Sequence, residues 1–139
     1  MKQIVPYLAF NGNCREAMQF YKDCFGGELE FMNWGDAPEN ACGEDMPKIE
    51  DDKVMHACLD DGECTLMACD QPMSSGASQS VSLSIPCDSE EQVDKLFGAL
   101  SEGGMPMMPP SKTFWNAYFG MCVDKYGFQW MFNYQIGEM

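Results

Sequence analysis

The chain holds a single histidine, His56, and it sits among sulfur. Cys58 follows two residues later, and Met67 and Cys69 fall on what reads as the next strand. An imidazole titrates near neutrality, so His56 can hold or pass a proton and is a candidate general acid or base. His56, Cys58 and Cys69 share parity on two neighbouring arms, which permits a His/Cys/Cys metal site. The spacing is loose and the chain carries eight cysteines spread throughout, so no metal is expected there. None of these thiols lies beside an evident base or helix start that would stabilise a thiolate, which argues against a cysteine nucleophile.

A second set of residues is polar but uncharged. Ser80, Ser82 and Ser84 alternate with Val81, Leu83 and Ile85, and Gln129, Met131 and Asn133 alternate with Trp130 and Phe132. Hydroxyl, amide and thioether groups of this kind suit a neutral pocket that hydrogen-bonds a polar organic ligand. Trp115 and Tyr118 supply rings that can stack on such a ligand, or equally fill a core or a dimer seam. Met105, Met107 and Met108 lie among three prolines and read as an adaptable apolar loop, either a lid or part of an interface.

The elements that must position these groups are written twice. Residues 4–10 read as a strand. Asn13 with Glu16 offers a capping box, Ala17, Phe20, Tyr21 and Cys24 keep helical spacing, and Gly26-Gly27 ends the helix. Residues 28–34 read as a strand, and the acidic stretch 35–52 reads as a loop. Residues 53–59 and 64–69 form a hairpin about Asp61-Gly62, a two-residue turn signal that sets Asp60 against Glu63 and His56 against Met67. The second half opens with the serine strand and a Ser89/Gln92 capping box. Val93, Leu96, Phe97 and Leu100 repeat the first helical stripe, and Gly103-Gly104 closes it. Strands are expected near 105–108, 116–123 and 128–134. The closing segment Val123-Asp124-Lys125-Tyr126-Gly127-Phe128-Gln129-Trp130-Met131 echoes Leu59-Asp60-Asp61-Gly62-Glu63-Cys64-Thr65-Leu66-Met67, with one extra residue in the turn. A duplicated unit buries an apolar face, so the repeat implies paired strand–helix–three-strand modules. Module one covers about residues 1–73, a small polar linker 74–79, and module two about 80–134, all within one domain.

Composition narrows the class of partner. A chain of 139 residues with 45% hydrophobic and 12% aromatic residues has the makings of one packed α+β domain. Eight Lys and Arg against 22 Asp and Glu give a formal charge of −14. That surface repels phosphate backbones and anionic lipid, so neither nucleic acid nor membrane is an expected partner. No apolar run approaches the roughly 20 residues of a membrane-spanning helix, and the start of the chain shows no signal-peptide pattern. With unpaired cysteines at apolar positions, the expected setting is the reduced cytoplasm.

Several segments carry a family resemblance. They are Tyr7-Leu8-Ala9-Phe10-Asn11-Gly12-Asn13-Cys14-Arg15-Glu16-Ala17, Phe20-Tyr21-Lys22, Phe25-Gly26-Gly27-Glu28-Leu29, Val54-Met55-His56-Ala57, Phe114-Trp115-Asn116-Ala117-Tyr118-Phe119-Gly120 and Asp124-Lys125-Tyr126-Gly127-Phe128-Gln129-Trp130. Through them the chain resembles the PhnB-like branch of the vicinal oxygen chelate superfamily, which includes glyoxalase I, bleomycin-resistance proteins and extradiol dioxygenases. The resemblance implies two βαβββ modules forming a half-open curved mixed sheet, helices on the convex face and a ligand cleft on the concave one. It also implies a homodimer.

The superfamily's enzymes hold a divalent metal with His, Glu or Gln from the first and last strand of each module. Laid on this chain, those places fall at Pro6, Met67, Ser80 and Met131, or Ser82 if the third slides by two. None is a ligand for catalytic Zn²⁺, Fe²⁺ or Mn²⁺. The expectation is therefore a protein without the inherited metal or any other cofactor. It binds a small polar organic ligand through Met67, Ser80, Ser82, Trp115, Tyr118 and Met131. Under the same register His56 points into the cleft, which keeps open a lyase, isomerase or thiol-adduct transferase. There His56 is the acid or base, with Gln129 and a serine hydroxyl polarising the substrate. A divalent-metal-dependent glyoxalase-like enzyme is a further alternative.

Overall fold

Alternation between apolar and polar residues divides each half of the chain into a strand, a helix and three more strands. The computed structural model describes residues 4–36, 50–71 and 81–137. The first half contains β1 (Tyr7–Phe10), α1 (Cys14–Phe25), β2 (Glu28–Asn33), a short 3₁₀ turn (Trp34–Asp36), β3 (Val54–Asp60) and β4 (Thr65–Asp70). The second contains β5 (Ser82–Pro86), α2 (Glu90–Ser101), β6 (Met105–Lys112), β7 (Ala117–Val123) and β8 (Gln129–Gln135). The chain divides into two compact units, residues 1–76 and 77–139. The expected linker 74–79, Ser80 and most of the acidic loop lie outside the described residues.

Each unit has its own four-stranded mixed sheet, in the order β1-β4-β3-β2 in one and β5-β8-β7-β6 in the other. The first strand runs parallel to the fourth, and the remaining pairs are antiparallel. This is the expected α+β duplication. In the first unit α1 packs on β2, β3 and β4. Leu8, Phe10, Ala57, Leu59, Leu66 and Ala68 are buried on that side of the sheet, and Cys14, Ala17, Met18 and Tyr21 are buried on the helix. The buried stripe is thus turned from the expected one toward Cys14 and Met18, leaving Phe20 and Cys24 half-exposed. In the second unit α2 packs on β6, β7 and β8. Val93, Leu96 and Leu100 are buried with Cys122, Trp130 and Phe132, and Phe97 meets Phe132 edge-on at 6.4 Å.

Both helices end in glycine for the same steric reason. A Cβ at Gly27 would lie 2.7 Å from the Asp60 carbonyl oxygen, and one at Gly104 2.1 Å from that of Val123. In each unit the chain leaving the helix presses against the backbone of the hairpin, where only glycine fits.

Two local expectations require correction. The β3–β4 loop is four residues (61–64), not two, and pairs Asp60 with Thr65 and Cys58 with Met67. The cause is the Asp61 carboxylate, which accepts from the Glu63 and Cys64 N–H groups at 2.9 and 2.7 Å and draws both residues into the turn. His56 is therefore not opposite Met67. The slip moves the pairing by two, however, so His56 and Met67 keep the same face. The second correction concerns α1. Asn13 makes no side-chain cap bond; Asp70 at the end of β4 accepts from the Gly12 and Cys14 N–H groups instead, at 2.9 and 3.0 Å. The α2 cap does form, with Ser89 Oγ accepting from the Gln92 N–H at 3.1 Å, while Gln92 reaches back to the Asp88 N–H.

Strand β6 is longer than expected and contains Pro106, Pro109 and Pro110. It lies at the sheet edge, where missing N–H groups interrupt no central ladder, and its register to β7 shifts twice.

Candidate functional site

With a helix on one face, each sheet presents its other face as the place where side chains are left for function. In the first unit that face carries a row in register: Tyr7 against Met67, Met67 against Cys58, and Cys58 against Glu30. His56, one step along β3, pairs with Met32. The strand residue in register with Met67 is Tyr7; Pro6, the place that the resemblance implies, precedes it, and its carbonyl accepts from the Met67 N–H at 3.0 Å.

Tyr7 gives His56 a partner that periodicity did not reveal. The Tyr7 hydroxyl lies 3.0 Å from His56 Nδ1, and the two rings are tilted at 39° with centroids 5.7 Å apart. With the hydroxyl donating, the neutral ring carries its proton on Nε2; with Nδ1–H donating to the phenol oxygen, Nε2 is an acceptor, and in both tautomers Nε2 is the nitrogen not engaged by Tyr7. Both residues are accessible: Tyr7 is 50% exposed and His56 half-buried. Cys58 stays a thiol here, since burial raises its pKa and the carboxylates of Asp60 and Glu30 add to the effect. Burial likewise pushes Cys14 up, with Asp70 and Cys69 next in effect. Among the described residues, no group of three His, Cys, Asp or Glu is arranged to hold a metal, the set His56, Cys58 and Cys69 included.

In the second unit the register brings the uncharged polar set together. Ser82 pairs with Gln129, Ser84 with Met131 and Pro86 with Asn133. Ser82 Oγ donates to the Gln129 amide oxygen at 3.0 Å, which fixes the amide's orientation. Trp115 stands at the β7 end of this face, half-buried and edge-on to Phe119 at 5.7 Å, with its carbonyl accepting from Gln135 Nε2 at 3.0 Å. Tyr118 does not belong to this group. It pairs with Tyr134 and has the parity of Gly120 and Cys122, on the helix side of the sheet. Its hydroxyl donates to Asp94 Oδ1 on α2 at 2.7 Å, and that bond to a carboxylate raises the phenol's pKa.

The divalent metal implied by the resemblance can be tested against the donors. In register with the closing-strand methionines are Tyr7 (for Met67) and Ser84 (for Met131). Neither the phenol and thioether of the first unit nor the hydroxyl and thioether of the second fits Zn²⁺, Fe²⁺ or Mn²⁺, which take imidazole and carboxylate ligands.

A different hollow, of about 590 Å³, opens on the helix side of the first unit between Gly12, Arg15, Glu16, Asp52, Lys53 and Asp70. Its polar groups serve structure. Lys53 Nζ donates to the Gly12 carbonyl at 3.3 Å. Arg15 donates to Asn33 Oδ1 and the Asp52 carbonyl and lies over the Phe31 ring at 4.8 Å. Asp70 Oδ2 accepts from the Val54 N–H at 2.9 Å.

Comparison with known proteins agrees with this architecture. The model of the family described as 3-demethylubiquinone-9 3-methyltransferase matches residues 2–133. Protein YjdN of Escherichia coli (strain K12) is 32% identical over 136 residues, 92% of each chain. The crystal structure of protein PA1353 from Pseudomonas aeruginosa superposes with a TM-score of 0.83 at 43% identity, covering 97% of this chain and 98% of that one. A glyoxalase/bleomycin resistance protein/dioxygenase family enzyme from Burkholderia phytofirmans PsJN shares the fold, with a TM-score of 0.61 at 17% identity over 94% and 96% of the two chains. The chain therefore belongs to the PhnB-like, or 3-demethylubiquinone-9 3-methyltransferase-like, family and has the glyoxalase/bleomycin-resistance fold.

Proposed function

We propose that this protein binds a small polar organic ligand against the helix-free faces of its sheets, without a divalent metal at the superfamily's positions. The observation that carries the reading is the Ser82–Gln129 pair. An oriented amide and a hydroxyl stand beside Met131 and within a half-buried, uncharged face that ends at an aromatic ring. Such a surface recognises a ligand by hydrogen bonds and apolar contact rather than by charge. Ser80 falls two residues before Ser82 and extends the hydroxyl series in the sequence. Met67 and Tyr7 offer a comparable thioether and phenol in the first unit. The test is a thermal-shift screen of uncharged polar metabolites, repeated with Gln129→Leu, together with elemental analysis of the purified protein. Ligands that raise Tm in the parent and not in the variant support the reading. A stoichiometric divalent ion held through purification overturns its metal-free part.

A second reading, an enzyme of the lyase, isomerase or thiol-adduct transferase type, is favoured by one contact. Tyr7 at His56 Nδ1 directs Nε2 away from the phenol, the arrangement of an imidazole held ready to exchange a proton with a bound molecule. Turnover that survives His56→Ala rejects this role. A reduced cytoplasmic setting and a homodimer complete the proposal. Sedimentation as a monomer at micromolar concentration would remove the dimer.

A further inference from the structure

The second sheet carries a pattern of which organic-ligand binding uses only Met131. Met108, Met121 and Met131 stand side by side across β6, β7 and β8, each in register with the next. All three lie on the helix-free face. Met108 is 45% exposed, and Met121 and Met131 are half-buried. Neighbours across antiparallel strands have Cβ atoms about 4.5–5.5 Å apart, and methionine is an unbranched, freely rotating side chain. The outer two thioethers can therefore lean inward over Met121, bringing three sulfurs within one coordination sphere. Thioether sulfur is a soft, neutral donor that discriminates against Mg²⁺, Ca²⁺ and Zn²⁺ and in favour of d¹⁰ monovalent ions. The chain's formal charge of −14 draws cations of any kind toward the surface.

We propose that Met108, Met121 and Met131 form a trigonal thioether site for a soft monovalent cation, Cu(I) in the cell, with Ag(I) as its redox-inert counterpart. The site shares Met131 with the organic-ligand reading, whereas Met108 and Met121 play no part in that reading, so loss of Ag(I) binding in Met121→Leu with ligand stabilisation intact tells the two apart. No electron transfer is involved; the ion binds and leaves in one oxidation state.

The chain's own cysteines are the competitors, and chemistry separates the two. A thiol must lose a proton to bind a soft metal, and burial with neighbouring carboxylates makes that harder at Cys58 and Cys64. A thioether has no proton to lose, so acidification weakens the cysteines and leaves the methionine row untouched. The experiment is a titration with Ag(I) at pH about 5.5, well below the ordinary thiol range, of methyl-¹³C-methionine-labelled protein whose reactive thiols are first capped as methyl disulfides so that they do not outcompete the thioethers. The methyl signals of Met108, Met121 and Met131, assigned by single Met→Leu changes, are expected to move together and saturate at one ion per chain. Met121→Leu, a volume-conserving change, is expected to weaken binding at least tenfold with Tm unchanged. Met108→Leu, at the exposed end of the row, gives the same test should Met121→Leu disturb folding. Met67→Leu, on the other sheet, leaves the titration unaltered. Silver taken up with these three signals stationary, or signals of Met108 and Met131 still moving together in Met121→Leu, overturns the proposal.

Discussion

Asp70 in the first unit and Asp124 in the second are the two buried carboxylates among the described residues, at 3% and 2% exposure, yet they brace different corners of the same topology. Asp70 accepts three backbone N–H groups, two at the start of α1 and one at the start of β3. Asp124 opens the β7–β8 turn, accepting the Tyr126 and Phe128 N–H groups with one oxygen and the Trp130 indole N–H with the other at 2.8 Å. The complementary corners are served by solvent-accessible groups: Asp61 holds the β3–β4 turn and Ser89 caps α2. Each module thus has one buried anchor and one surface anchor, with their places exchanged. A duplicated fold thus keeps the demand for capping groups at turn and helix start, but not the residue that meets it.

Removing the anchors one at a time breaks the comparison in a definite order. Asp70→Ala leaves three N–H groups without their acceptor in a buried corner, and should cost about 3–5 kcal/mol, read as a lower urea midpoint. Asp124→Ala should follow at about 2–4 kcal/mol, since water can reach part of its turn. Trp130 fluorescence should also shift as the indole N–H loses its partner. A loss at Asp124 greater than that at Asp70 would reverse the assignment of the stronger brace.

The surface anchors sharpen the contrast at lower cost. Ser89→Ala removes a formed cap and should cost about 1 kcal/mol. Asn13→Ala, at the matching position of α1, should change stability by no more than a few tenths of a kcal/mol, because Asp70 already supplies the bonds. Equal losses at the two sites would show that Asn13 caps α1 in solution.

The smallest effect concerns the sulfur on the first sheet's open face. Glu30→Gln removes one of the two carboxylates that raise the Cys58 pKa after burial. The thiol should then ionise at lower pH and alkylate a few-fold faster at pH about 8.5, measured by mass spectrometry against Cys64 as internal standard. An unchanged rate would leave burial and Asp60 as the causes.

What could be read from the chain follows the range of each interaction. The repeated elements were legible because apolar alternation and helical spacing are local, and the face of His56 survived a wrong loop length because only parity decides a face. Ser82, Gln129 and Met131 came together for the same reason. Asp70 was missed because its partners lie 16, 56 and 58 residues away in sequence, and no pattern of spacing announces such a bond. Tyr7 as the companion of His56 was hidden similarly, across 49 residues. The ring of Tyr118 suggests a ligand contact, but its pairing with Tyr134 gives it the parity of Trp130 and Phe132, on the helix side.

One more property follows from strand β6. Three of its eight residues are proline, so this border of the second sheet offers an incoming chain a broken ladder of donors. A strand added along it would meet three residues with no N–H to offer. A segment as rich in methionine as this one would otherwise invite such an addition.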